Sequence, residues 1–127
     1  MAGPATYDIA CLVRSPELVW EENCVLDICI RYWEQARKAN LPVDPDFGEF
    51  YRGVEWCGLH YHLGLVGDLA REALTSPHPA SEPTGIRVLL HYIWSTCGRY
   101  IELKPLMRLI ERLEDIETAG GYAFGRV

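Results

Sequence analysis

Several features are scarce in this sequence, and each absence narrows the reading. No run of apolar residues approaches the ~20 that a membrane-spanning helix requires, so no membrane span is expected. Positive charge is in deficit: 12 Lys and Arg face 18 Asp and Glu, a net charge of -6. Nonspecific binding of DNA or RNA rests on neutralising phosphates, so no nucleic-acid partner is expected. The first residues, MAGPATYDIACLVR, lack a basic start and a proper apolar core, so they do not read as a signal peptide. Neither strand pairs, hairpin dipeptides nor internal repeats are found. Five cysteines are present (Cys11, Cys24, Cys29, Cys57 and Cys97), an odd number with no CxxC pair. Each sits in an apolar helical pattern, which reads as reduced thiols in a cytoplasmic protein.

What is there suits one helical domain over 1–127. The composition is that of an ordinary globular protein, 49% hydrophobic and 24% charged. The organising stretch is DPDFGEFYRGVEWCGLHYHLGLVGDLAREAL, Asp44 to Leu74. Asp44 is a good N-cap, and Pro45 suits a first helical position. Phe47, Phe50, Val54, Cys57, Tyr61, Leu65 and Leu69 recur at helical spacing, with Trp56, Leu59, Leu63, Val66 and Ala70 as a second stripe. Such a wide apolar face predicts a central helix packed on more than one side. Gly48, Gly53, Gly58, Gly64 and Gly67 interrupt it. An interior Gly costs ~0.8–1 kcal/mol relative to Ala, so close helix packing or a kink is expected near Gly58–Gly67, with a break into two helices as the alternative.

Other helices frame this one. A short helix is predicted over Tyr7–Arg14 and a longer one over Glu22–Ala39, with Asn40 as its C-cap. Three prolines mark 75–83 as a loop. Ser81 or Thr84 then caps a helix to about Tyr100, facing inward through Ile86, Leu89, Leu90, Ile93, Trp94 and Cys97. The last helix runs from Glu102 to Glu117, with Pro105 in its first turn and Leu103, Leu106, Met107, Ile110 and Leu113 as its core face. A Gly-rich tail, 118–127, closes the chain. About five helices without strands make the fold all-α.

Read from residues alone, no catalytic set stands out, and no metal site is expected. His60 and His62 are two apart and point in different directions on a helix, whereas a helical metal pair wants i,i+4 spacing with a carboxylate in reach. Cys57 near His60 has the makings of a nucleophile pair, but a buried structural thiol is the simpler reading. The glycines match neither dinucleotide nor P-loop spacing. Glu55, Trp56, His60 and His62 are candidates for a polar pocket with an aromatic wall, as sugar sites often have. The plainer account of the same residues is a surface stripe beside a core Trp.

Three blocks carry a resemblance: GPATYDIACLVR (Gly3–Arg14), RYWEQARKANLPVDPDFGEFYRGVEWCGLHYHLGLVGDLAR (Arg31–Arg71), and VLLHYIWSTCGRYIELKPLMRLIERL (Val88–Leu113) with the GYAF tail. In this order they resemble the C-terminal helical subdomain of bacterial aminoglycoside-phosphotransferase-like kinases. The branch they resemble most is the cell-wall-recycling sugar kinases, which phosphorylate N-acetylmuramate and N-acetylglucosamine at the anomeric hydroxyl. The resemblance implies ATP and Mg²⁺ for the intact family. It also implies that the His-x-Asp loop, the metal-binding Asp and the nucleotide-binding lobe lie upstream of a segment like GPATYDIA. None of them is in this sequence, so neither catalytic residue nor cofactor is expected here, and the chain alone is expected to be inactive. Asp8 matches an Asp that braces the family's catalytic loop, a supporting role.

Two departures stand out. REALTSPHPASEPTGI replaces a stretch that is usually rich in Asp, Gly and Lys, and Asp68 falls where the family tends to be apolar. Three roles follow as expectations: part of a kinase, a free-standing helical interaction module, or half of a split kinase. The partners implied are the missing catalytic part or a second copy, met through exposed apolar surface. Without its upstream neighbours, the helix at Tyr7–Arg14 is expected to fray first.

Overall fold

In the computed structural model, residues 5–75 and 85–117 are described. Five α-helices follow one another: α1 (Tyr7–Val13), α2 (Glu22–Lys38), α3 (Phe47–Thr75), α4 (Ile86–Gly98) and α5 (Lys104–Glu117). A 3₁₀ turn, Ile101–Leu103, leads into α5. No strand occurs among the described residues, and the fold is all-α. The loop expected over 75–83 beyond Thr75, its caps Ser81 and Thr84, and the tail 118–127 lie outside the described residues. None of the helices is long and apolar enough to cross a membrane among the residues described. The chain divides into two compact units, Met1–Tyr61 and His62–Val127, and α3 runs through both.

The first unit has an apolar core built by α1, α2 and the first half of α3. Ile9, Ala10 and Val13 come from α1, Val25 and Cys29 from α2, and Phe50 and Val54 from α3. Aromatic rings close around it: Tyr32 stacks on Phe50 and Trp33 meets Phe47 edge-on. The short α1, expected to fray, therefore supplies three of the seven buried core residues.

Side chains of α2 fix the corner between α2 and α3. Asn40 adopts a left-handed conformation, φ 58°, one of the few non-glycine residues that tolerate it. Its N–H bonds the Arg37 carbonyl at 3.1 Å, and the Leu41 N–H bonds the Ala36 carbonyl at 2.9 Å. These two bonds make a Schellman motif, so Asn40 ends the helix as its spacing predicts. Trp33 Nε1 donates to the Asp44 carbonyl at 2.8 Å, and Arg37 donates to the Pro45 carbonyl at 2.7 Å. α3 begins at Phe47, later than the sequence predicts. Asp46 rather than Asp44 takes the capping role, its Oδ2 accepting the Glu49 N–H at 3.0 Å. Asp44 instead accepts the Asp46 N–H at 2.8 Å and forms the turn before the cap.

In the second unit α4 packs on α5 and on the 3₁₀ turn. Gly85, at φ 86°, precedes α4 in the left-handed region that glycine enters at little cost. Leu89, Ile93 and Cys97 face inward as the spacing predicts, joined by Tyr92 and Thr96. On α5 the expected inward Leu113 is exposed, and Glu114 is buried in its place. The reason is an ion pair: Arg87 on α4 bonds Glu114 Oε1. Trp94 Nε1 donates to Glu111 Oε2 at 3.2 Å beside it.

Candidate functional site

The four pocket candidates all lie on α3, and the structure gives each a packing role. Glu55 is buried at 3% relative exposure. Its charge favours the cation of Arg14 and disfavours the thiolate of Cys29. Trp56 is half-buried with the Arg52 guanidinium 5.4 Å over its ring. His60 is exposed and meets Tyr7 of α1 edge-on, ring centroids 6.0 Å apart. His62, in the second unit, is buried at 1% and stacks flat on Tyr92 at 4.7 Å.

A residue that sequence reasoning passed over dominates the first unit. Arg14 follows α1 and is buried, yet carries a charge. Its guanidinium donates to both carboxylate oxygens of Glu22, at 2.6 and 3.3 Å. Burial works against the cation, but the hydrogen bond and charge of Glu22, then Tyr51 and Glu55, outweigh it and raise its pKa. Gly58 makes room for the side chain: a Cβ there would stand 3.2 Å from Arg14 Cγ. One turn and a residue earlier, a Cβ at Gly53 would stand 3.2 Å from Thr6 Cγ2. Thr6 Oγ1 and Cys57 Sγ share a hydrogen bond at 3.2 Å. Glycines 53 and 58 are therefore the seat of α1 on α3. An Arg at a helix end reads in sequence as a solvated residue, and only the pairing of Gly58 with an acidic Glu55 hinted otherwise.

The thiols follow burial. Burial pushes Cys29 up to about 11, with Arg14 partly opposing and Glu55 and Glu22 adding to it. Cys97 is raised by burial, against the pull of Lys104 and Arg99. Cys11 is raised by burial and then by Asp8 and Cys57, which is the wrong direction for a nucleophile. Asp8 itself is exposed in the first turn of α1, where a carboxylate suits the helix dipole. Among the described residues no three His, Cys, Asp or Glu are grouped to hold a metal ion.

Comparison with known proteins brings out relatives that are sugar kinases. They are named N-acetylmuramate/N-acetylglucosamine kinase. The protein of Neisseria meningitidis is 42% identical over 123 residues, 96% of this chain and 36% of that protein. The Pseudomonas putida protein is 33% identical over 115 residues, 88% of this chain and 33% of the relative. The Pseudomonas aeruginosa protein is 38% identical over 69 residues, 54% of this chain and 20% of the relative. The chain thus resembles the first two of these kinases along most of its length while spanning about a third of each. No family model matches the chain, and no solved structure matches it.

Proposed function

We propose that this chain is the C-terminal helical part of an ATP- and Mg²⁺-dependent kinase acting on N-acetylmuramate or N-acetylglucosamine in cytoplasmic cell-wall recycling. The observation that carries the reading is the 42% identity over 96% of this chain to a kinase bearing that name. Phosphoryl transfer needs a nucleotide cradle, metal carboxylates and a group that orients the acceptor. Glu55, buried in the Arg14 environment, serves helix packing, and Arg14 itself is tied to Glu22. On this reading the chain by itself is inactive. Trp56 and His60, at most, contribute to the wall that receives the sugar, and Asp8 supports the catalytic loop from α1.

The test is direct. The purified chain, given ATP, Mg²⁺ and N-acetylglucosamine or N-acetylmuramate, is expected to show no sugar-dependent ADP release. Metal-dependent turnover would overturn the inactivity. A second reading, a helical interaction module, draws on the exposed Leu12, Leu18 and Val19. It predicts self-association, which sedimentation of the chain would detect.

A further inference from the structure

We infer that Cys11 of α1 and Cys57 of α3 form a redox-sensitive latch, a dithiol that a small-molecule disulfide closes to a Cys11–Cys57 bond tying α1 to α3. The inference concerns the first compact unit alone and does not depend on what the whole polypeptide phosphorylates.

Contacts between the two helices bracket both cysteines. On α1, Cys11 lies one turn after Tyr7, which meets His60 edge-on at 6.0 Å. It lies one turn before Arg14, whose Cγ is 3.2 Å from where a Cβ at Gly58 would sit. Residues three or four apart share a side of a helix, so Cys11 is on the side of α1 that Tyr7 and Arg14 turn to α3. On α3, Cys57 stands next to Gly58 and one turn after Gly53, where a Cβ would come 3.2 Å from Thr6 Cγ2. Its Sγ shares a hydrogen bond with Thr6 Oγ1 at 3.2 Å. At Cys57 the two helices thus approach as closely as glycine allows, which is what a disulfide between helices requires. The electrostatics agree. Burial, then Asp8 and Cys57, raise the Cys11 pKa. Burial, then Cys11, Glu17 and Tyr7, raise that of Tyr61, one turn beyond Cys57.

Access separates this pair from the other thiols. Cys11 and Cys57 are both half-buried, within reach of a small reagent, whereas Cys29 and Cys97 are buried and Cys24 is exposed on α2. Closure is thiol–disulfide exchange. The thiolate of one cysteine attacks a sulfur of the reagent, forming a mixed disulfide and expelling one thiolate. The thiolate of the other then attacks the protein sulfur of that mixed disulfide, forming the Cys11–Cys57 bond and expelling the second half of the reagent. The pair loses two electrons and two protons, and the reagent is reduced to two thiols. The closed latch fixes α1, and with it Asp8, on α3.

The experiment incubates the purified full chain with oxidised glutathione, alkylates the remaining thiols and reads the tryptic peptides by mass spectrometry. Cys11 falls in residues 1–14, Cys57 in 53–71, Cys24 and Cys29 in 15–31, and Cys97 in 88–99. The crosslink of 1–14 to 53–71 is expected to exceed every other intramolecular crosslink between peptides about tenfold in native buffer, and to lose that lead in concentrated urea. In Cys11→Ser, Cys57 is expected to stop at the mixed disulfide with glutathione. Separate glutathione adducts on Cys11 and Cys57 of the native chain would overturn the latch. So would an equal lead in urea, or recovery of both cysteines alkylated while Cys24 carries glutathione.

Discussion

The two halves of α3 use the same residue for opposite ends. In the first half, Gly53 and Gly58 face neighbours so close that a Cβ would stand 3.2 Å from Thr6 and from Arg14. In the second half, Gly64 and Gly67 have, among the described residues and apart from their own helix backbone, nothing within 4 Å of where a Cβ would sit. Helix propensity penalises all four alike. Only the first pair is compensated by letting another segment approach. The helix is nonetheless assigned without a break from Phe47 to Thr75. Glycine in a helix is thus informative about packing only when its neighbour is known.

The largest way to break this contrast is to remove what Gly58 accommodates. Arg14→Met takes away a buried cation and its bonds to both carboxylate oxygens of Glu22. Breaking a buried charge pair costs ~3–5 kcal/mol. Because Glu22 is 57% exposed and retains water, the loss falls below that range, and about 2 kcal/mol is expected in urea unfolding. A single variant as stable as the parent would show that Arg14 is not the clasp described.

Alanine sharpens the contrast directly. Gly58→Ala gains helix propensity but crowds an Arg14 stem whose far end is held by Glu22, and overpacking costs ~1–3 kcal/mol. A net loss of about 1 kcal/mol is expected. Gly64→Ala and Gly67→Ala meet open space and should each stabilise by ~0.5–1 kcal/mol. Thermal unfolding of the three variants reads the signs, and equal signs at 58 and 64 would end the comparison.

The thiols offer a pH test of the same buried neighbourhood. Cys29, pushed up from 9.0 to about 11, is protonated at pH 8, with thiolate on the order of one part in a thousand. Native alkylation at pH 8 should mark the exposed Cys24 and spare Cys29 and Cys97. A folded pKa above the unfolded value means that the folded state holds the proton more tightly. The contribution of Cys29 is therefore complete below pH 9 and lost as pH rises through about 11. Cys29→Ala should flatten the alkaline limb of the stability profile.

The smallest effect is expected at Trp20. Its indole N–H is buried with no hydrogen-bond partner among the described residues. Trp20→Phe removes an unsatisfied donor at the expense of some contact area. The two effects nearly cancel, and a change within about 1 kcal/mol should be seen in urea.

Much of the fold was legible in the sequence because helical periodicity is a local signal. Ile93 and Cys97 of α4, and the Asn40 cap, stand where spacing and cap chemistry put them. The start of α3 was misplaced because Asp44 and Asp46 both satisfy the capping preference, and only the hydrogen bonds decide between them. Leu113 and Glu114 were exchanged because the burial of a carboxylate depends on Arg87, 27 residues away in sequence. The candidate site was less legible still. Glu55 looks the same in sequence whether it faces a sugar or a buried Arg14, since that difference lies in another helix. Asp8 was singled out by resemblance alone, since no spacing or periodicity marks it.

The corner between α2 and α3 bears on the order in which the chain folds. Its bonds from Trp33 to Asp44 and from Arg37 to Pro45 join residues only eleven and eight apart. The bond between Thr6 and Cys57 spans fifty-one. Closing a short loop costs less chain entropy than closing a long one, and local contacts favour rapid folding. The helical hairpin of α2 and α3 is therefore the expected early structure on the pathway, with α1 docking onto a surface already formed. Variants at Trp33 would then slow folding, whereas variants at Thr6 would mainly hasten unfolding.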